Sequence, residues 1–448
     1  GAVQLGASVV LVERGLMGGD CLNYGCVPSK SLLAAARHAA MWRAAGVFGV
    51  SYEPPRIDFA AAMESVAQTI ARLAPNDSAE RFTGLGVRVL AGEGRFTGPD
   101  ALAVGEAEIR PRRFVLATGS HPFVPSIPGL AAAPYLTNET VFGNRVLPDH
   151  LLVIGGGPIG IELAQAHRRL GARVSVFDAG PLLPREDPEL AQALAVRLAT
   201  EGIALHPQVT IAAVERAENA IVLVLADGER IAGSHLLLAA GRQASLEALE
   251  LARAGIEALP SGITVDRRLR TTNRRAFAIG DAAGGPQFTH AALYHAGIVI
   301  RNALFRIPAK VDYRALPWVT YTDPELAQVG LTEKAARARH PDILVERWPF
   351  AENDRAQCER ASDGMVKLVL RRGGQILGAA ILGQNAGDLI LPWTLAIARG
   401  LKIGAMANLV VPYPTRGEAG KRAAGAFYAP RLFSARSRAL VRFLARFG

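Results

Sequence analysis

The stretch LLVIGGGPIGIELAQAHRRLGARVSVFD, Leu151 to Asp178, decides the fold. Its first four residues form an unbroken apolar run, the mark of a strand buried on both faces of a parallel sheet. Gly155, Gly157 and Gly160 follow at once, then an apolar-periodic helix from Ile161 to Leu170 and a second strand ending on Asp178. Strand, glycine loop, helix and strand in that order make a dinucleotide-binding unit, because the glycines admit a pyrophosphate close to the backbone and the helix N-terminus supplies amides to it. Asp178 stands twenty-one residues past Gly157. A carboxylate there accepts ribose hydroxyls and repels a 2′-phosphate, so NADH is expected and NADPH less so.

Working outward, SVVLVE, Ser8 to Glu13, reads as another buried parallel strand. FVLATGS (Phe114 to Ser120), LLLAAGR (Leu236 to Arg242) and FAIGD (Phe277 to Asp281) each run from an apolar strand into a small-residue turn, where ligands sit in open parallel sheets. Beyond about Pro317 the order changes to strands followed by a helical stretch, Ala386 to Arg399, which reads as a separate α+β domain. No solenoid-period repeat and no low-complexity tract occurs.

Composition bounds the function. A chain of 448 residues, half of them hydrophobic and 20% charged, has the balance of a packed protein, with length for roughly three domains. No apolar run approaches the roughly twenty residues of a membrane-spanning helix. The net charge of +10 comes from arginines scattered along the chain and only six lysines. That dispersion reads as a solvated basic surface, and no nucleic-acid partner is expected. Three cysteines exclude a disulfide framework, and no signal peptide opens the chain, so a reducing cytoplasmic compartment is expected. The helix-like start at Gly1 reads as a fragment or a processed end.

Two of those cysteines lie five apart in GGDCLNYGCVPSK, Gly18 to Lys30, ahead of an Ala/Leu-rich helix. Glycines at Gly19 and Gly25 permit the distortion that brings Cys21 to Cys26. Zinc and an inert structural pair are the alternatives to a redox-active dithiol. Zinc lacks nearby partners apart from His38, so no metal site is expected, and a helix N-terminus favours thiolates.

The segment GGDCLNYGCVPSK resembles the active-site segment of the class I pyridine nucleotide-disulfide oxidoreductases, the group of dihydrolipoamide dehydrogenase, glutathione reductase and mercuric reductase. FVLATGS, GGGPIGIE, FAIGD and YTDPELAQVG, Tyr321 to Gly330, follow at that family's order and spacing, so the resemblance runs from Gly1 to about Ala424. It implies an α/β protein with two Rossmann-like dinucleotide-binding domains and a C-terminal α+β dimerisation domain. The boundaries implied are 1–146 with 264–312 for FAD, 147–263 for NAD(P), and 313–448 for dimerisation. It also implies a homodimeric enzyme passing electrons from NADH through FAD to Cys21–Cys26 and on to an acceptor. Cys26 would be the thiolate beside the flavin and Cys21 the exposed, exchanging sulfur, with Lys30 and Glu162 an ion pair at the flavin. Glu13, Thr118, Gly119, Asp281 and Ala291, the last in the helix start Phe288 to Ala291, would bind FAD. Gly155, Gly157, Gly160, Asp178 and the strand-end Gly241 complete the cofactor residues.

Two departures refine this reading. The family's first strand and GxGxxG loop, which hold the FAD pyrophosphate, would lie ahead of Gly1, so the chain reads as truncated relative to that pattern. The family's His-Pro-Thr…Glu acid-base segment is here VPYPTRGE, with Tyr413 in the histidine's place and Glu418 kept. A phenol with a pKa near 10 is a poor proton shuttle at neutral pH, which disfavours dihydrolipoamide dehydrogenase. Mercuric reductases carry tyrosine there too, and their Pro-Tyr-Trp-Thr resembles Pro134-Tyr135-Leu136-Thr137, but the C-terminal cysteine pair of that enzyme is missing from Leu444 to Gly448. The expected acceptor is a small disulfide, a soft metal ion or a quinone-like oxidant. A non-catalytic fragment or interaction protein is the alternative of another class. The tail from Pro430 to Gly448 alternates Leu432, Phe433, Leu440, Phe443, Leu444 and Phe447 with five arginines, a basic amphipathic helix suited to peripheral membrane contact or to packing on protein.

Overall fold

The computed structural model describes residues 1–51 and 53–447. It comprises two compact units, Gly1–Pro181 with Glu201–Val311, and Leu182–Thr200 with Asp312–Gly448. In the first unit, β1 (Val10–Glu13) pairs in parallel with β2 (Arg88–Ala91), and the chain between them opens with helices α1 (Gly19–Asn23) and α2 (Cys26–Ala40). The sequence predicts a fully buried β1, yet it is half-buried along its length, because among the described residues only one of its edges carries a partner strand. Strand β3 (Phe114–Leu116) precedes the nucleotide-type unit of β4 (His150–Ile154), helix α3 (Pro158–Arg169) and β5 (Arg173–Phe177). After α4 (Pro188–Thr200), which belongs to the second unit, β6 (Ile203–His206) and β7 (His235–Leu238) complete a parallel sheet of order β6-β5-β4-β7. Strand β8 (Ala276–Ala278) pairs in parallel with β3 and leads to α5 (Thr289–Ala303).

Close approach of α3 to its sheet explains two of the glycines. A side chain at Gly160 would put its Cβ 2.0 Å from the Gly155 carbonyl, and one at Gly155, whose φ is +115°, would put it 2.2 Å from the Ala239 carbonyl. The helix starts three residues earlier than its periodicity predicts because Pro158, with φ preset and no N–H to satisfy, occupies the first turn. Leu151, Leu152, Val153, Ile161, Leu163 and Ala164 are buried in consequence.

The second unit is built on an antiparallel sheet of order β9-β10-β13-β12-β11, comprising β9 (Pro317–Thr320), β10 (Glu325–Gly330), β11 (Ile343–Pro349), β12 (Met365–Arg371) and β13 (Ile376–Gly383). Phe350, Leu368, Ile381 and Trp393 lie in its core. The helical stretch predicted over 386–399 is two pieces, Ala386–Leu389 and Leu391–Ala398, with Pro392 in the first turn of the second. Helices α6 (Gly417–Ala426) and α7 (Ala435–Leu444) follow. Among the described residues no helix is long and apolar enough to cross a membrane.

A buried ion cluster ties 182–200 into this unit. Lys367 on β12, 3% exposed, puts Nζ 2.8 Å from Asp187 Oδ1, 2.8 Å from Glu189 Oε2 and 2.9 Å from Glu333 Oε2. Arg347 on β11 closes the cluster at 2.8 Å from Glu189 and 3.3 Å from Glu333. Removing the cation leaves Asp187 charged and enclosed, so Lys367→Met should cost about 3–5 kcal/mol, read as a lower urea midpoint, whereas breaking the exposed Arg230–Glu215 pair with Arg230→Gln should leave that midpoint nearly unchanged.

Candidate functional site

Helices α1 and α2 are separated by Tyr24 and Gly25, and the turn between them is what sets the two thiols side by side. Gly25 has φ −123° and ψ −113°, and a Cβ on it would lie 3.0 Å from the Asp20 carbonyl and 3.2 Å from Cys21 Cα. The absence of a side chain lets α1 fold back against the start of α2. Cys21 and Cys26 are both free thiols, Cys26 exposed and Cys21 half-buried, an order of exposure opposite to that predicted. Cys26 is the first residue of its helix, which Gly25 caps without a side chain, while Cys21 lies inside the preceding short helix.

Their electrostatics differ sharply. The Cys21 thiol hydrogen-bonds to Cys26, and this bond, opposed by burial and aided by the Thr289 hydroxyl and the Lys30 charge, brings the Cys26 pKa down to about 6. The same bond holds Cys21 well above the ordinary thiol range, with burial adding to it. The pair is thus a thiol donating to a thiolate. Thr289, the first residue of α5, places Oγ1 3.4 Å from Cys26 Sγ. The sequence reading named the helix start Phe288 to Ala291 but not this hydroxyl; a threonine in a helix start expected to bind FAD was the available signal.

One turn along α2, Lys30 Nζ lies 2.8 Å from Glu162 Oε2 on α3, bringing together two residues 132 positions apart. The carboxylate is 6% exposed and the ammonium 37%. Lys30 also donates to Ser29 Oγ at 3.3 Å, and Ser29 Oγ donates to the Cys26 carbonyl at 3.3 Å.

Around the strand ends, Asp281 Oδ2 accepts from Ser120 Oγ at 2.5 Å. Arg242, directly after Gly241, donates to Ser120 Oγ and to the Ser120 carbonyl at 2.7 Å each, and lies 3.1 Å from Asp20 Oδ1. Asn138 Nδ2 donates to the same Asp20 oxygen at 3.2 Å. Arg242, Asp20 and Asn138 were not singled out by sequence reasoning, since polar residues in loops give no periodic signal. Thr118 is exposed, Gly119 has φ +69° with open space where a Cβ would stand, and Glu13 ends β1 accepting from the Gly15 amide at 2.8 Å. Ala291 is buried in the first turn of α5, whose Phe288 cap leaves the first amides without a side-chain partner. An open glycine, a strand-end carboxylate and an uncapped helix start fit the ribose and ring edges of a flavin nucleotide.

In the glycine loop, Gly157 caps α3 with nothing within 4 Å of a Cβ position, which leaves the approach to the helix amides open. Asp178 reaches back to this loop: Oδ2 accepts from the Gly156 amide at 2.6 Å and Oδ1 from the Gly180 amide at 2.7 Å. The carboxylate and the phosphate-type loop form one rim, which fits a dinucleotide.

Tyr413 and Glu418 lie in the second unit. The Tyr413 hydroxyl, 69% exposed as a residue, donates to Asp354 Oδ2 at 2.9 Å, and that carboxylate raises its pKa above the ordinary phenol value. Glu418 pairs with Arg422 at 2.9 Å one turn along α6. Cys358 is a free, exposed cysteine, and no cluster of three or more metal-ligating side chains occurs among the described residues.

Comparison with known proteins agrees in outline with this geometry. Residues 1–296 match the family described as pyridine nucleotide-disulphide oxidoreductase, and residues 316–424 match its dimerisation domain. The chain is 40% identical over 441 residues to a mercuric reductase of Streptomyces lividans, covering 94% of this chain and 91% of that one. It is 34% identical over 434 residues to a dihydrolipoyl dehydrogenase of Geobacillus stearothermophilus, covering 94% and 92%. The Cu(II) complex of the HOCl-induced flavoprotein disulfide reductase RclA from Escherichia coli superposes with a TM-score of 0.84 at 28% identity, over 94% of each chain.

If hydrogen bonding sets the Cys26 thiolate, the pH profile of its alkylation by iodoacetamide should have a midpoint near 6 that moves up in Thr289→Val and, by less, in Lys30→Met. A shift of one unit would cut the thiolate fraction at pH 6 from about one half to about one tenth. Coincident profiles for Thr289→Val and the parent chain would dismiss the hydroxyl's part.

Proposed function

Because the chain belongs to the pyridine nucleotide-disulphide oxidoreductase family, we propose that it is an FAD-dependent enzyme carrying electrons from NADH to the Cys21–Cys26 pair and from there to a soft, thiophilic metal ion. The observation that carries this is the Cys26 thiolate, held near pKa 6 beside Thr289 and Lys30. Bound FAD supplies the two-electron relay between nicotinamide and sulfur. Residues 1–146 with 264–312 would bind FAD, 147–263 would bind NADH, and 313–448 would form the interface of a homodimer, whose dimerisation domain matches over 316–424. Val410, Leu391 and Leu395, exposed apolar side chains inside the dimerisation match, support the dimer. The cytoplasm is the expected compartment.

The residues divide the work by charge. Asp178 accepts ribose hydroxyls and disfavours the phosphate of NADPH, while Gly155, Gly157 and Gly160 let the pyrophosphate reach the amides of α3. Glu13, Asp281, Thr118, Gly119, Gly241 and Ala291 hold the FAD side. In the reductive half, NADH loses a hydride and becomes NAD⁺, and with one proton its two electrons convert the Cys21–Cys26 disulfide into a thiol and a thiolate. Cys26 stays ionised; Cys21 holds the proton and yields it when an acceptor takes its sulfur. Lys30, fixed by Glu162, keeps a positive charge where negative charge accumulates.

The acceptor is read from the oxidative side. A dithiol substrate needs a base that protonates and deprotonates near neutrality, and Tyr413, with its proton held by Asp354, cannot cycle there. A metal ion taken up by thiolates needs no such shuttle. The phenol at Tyr413 and the similarity to the Streptomyces enzyme favour that class over a small disulfide or a quinone.

Anaerobic NADH should add two titratable thiols per FAD-loaded chain, and Cys26→Ser should abolish that gain; an unchanged thiol count in the parent chain would sink the relay. For the acceptor, NADH oxidation should depend on Hg(II) presented in thiol excess, with slow dihydrolipoamide turnover. Tyr413→His should raise that turnover by roughly tenfold or more. Parent-level dihydrolipoamide rates that match the metal-dependent rate would make dihydrolipoamide dehydrogenase the better reading.

A further inference from the structure

We propose that α7 docks the protein on the surface of an anionic lipid bilayer. The helix is capped by Ser434, whose side chain accepts from the Ser437 amide, and its turn continues through the Phe447 amide bonded to the Leu444 carbonyl at 3.0 Å. At helical spacing Leu440, Phe443, Leu444 and Phe447 recur at intervals of three and four and share one face. Arg438, Arg442 and Arg446 recur every four residues on the opposite face, Arg431 precedes the helix, and Arg436 in its first turn stands one turn before Leu440 at the N-terminal end of the apolar face. The apolar face is uncovered: Leu440 is 56% exposed, Phe443 53%, Leu444 55% and Phe447 74%.

Charge decides what covers it. After Glu418 the chain contains no aspartate or glutamate, while it carries Lys421, Arg422 and the five tail arginines. A second copy meeting this face through a two-fold axis would set Arg436, one turn before Leu440 on the same face, against its own counterpart, with no acidic side chain on the segment to receive it. The dimerisation match ends at residue 424, before the helix begins. A phospholipid surface supplies both halves of the fit, an apolar layer for the leucines and phenylalanines and a sheet of negative headgroups for the guanidinium groups, whose long stems reach from helix to interface. A ten-residue helix is about 15 Å long, so it lies in the interface and does not cross it.

The test uses the full, FAD-loaded chain and floats it with vesicles of phosphatidylcholine containing roughly one third phosphatidylglycerol, against phosphatidylcholine alone. Binding is expected only to the anionic vesicles and should fall steeply as salt rises from about 0.1 M to about 1 M, which shortens the screening length from about 10 Å to about 3 Å. The triple variant R438Q/R442Q/R446Q should bind on the order of a hundredfold more weakly, and Leu440→Ser with Phe443→Ser should lose binding, both with NADH-dependent turnover unchanged. Equal recovery with neutral and anionic vesicles, or none with either, overturns the proposal. So does a fall in oligomeric mass in the Leu440→Ser, Phe443→Ser variant, which would mean that a second copy covers the helix.

Discussion

A thiolate persists near neutrality only where hydrogen-bond donors and positive charge oppose the cost of burial, and the architecture around Cys26 follows from that constraint. Its two donors are Cys21 in α1 and Thr289 at the head of α5, and the positive charge is the more distant Lys30 on its own helix. Each is held by something else. Gly25 allows the first, the β3-β8 pairing that precedes α5 delivers the second, and Glu162 on α3 fixes the third. The helix that receives the glycine loop therefore also carries the carboxylate that steadies the lysine beside the thiolate. The glycine loop and the ion pair beside the thiolate share a single structural element.

That sharing explains why α3 is packed so closely. Gly160 and Gly155 bring its first turn against the neighboring backbone, where a methyl group would meet a carbonyl oxygen at about 2 Å. A helix seated less firmly would let Glu162 drift from Lys30. The second unit uses a different device: in place of close backbone contact it has an enclosed lysine whose three carboxylate partners come from two segments of the chain, Asp187 with Glu189 and Glu333. Such a cluster gives directional specificity, since displacing Lys367 strands the charge of Asp187 away from water.

Tyr413 puts a phenol at the position where acid-base chemistry with dithiols calls for an imidazole. Asp354 makes the departure firmer, because the carboxylate that accepts the Tyr413 proton also raises its pKa.

Much of this was legible in the amino-acid order. The glycine loop with Asp178, the spacing of Cys21 and Cys26, and the substitution at Tyr413 are local patterns whose meaning lies in residue type and interval, and they carried the fold class, the dinucleotide cofactors and the family. The half-burial of β1 was not legible, because an apolar run reports a strand's preference for burial but not whether a partner lies along each edge. Neither was the network of Asp20, Asn138, Ser120, Arg242 and Asp281, whose members are loop residues far apart in sequence. Nor could spacing say which cysteine is the thiolate: that depends on which sulfur receives the hydrogen bonds and which gives them, a matter of distances that only the folded chain establishes.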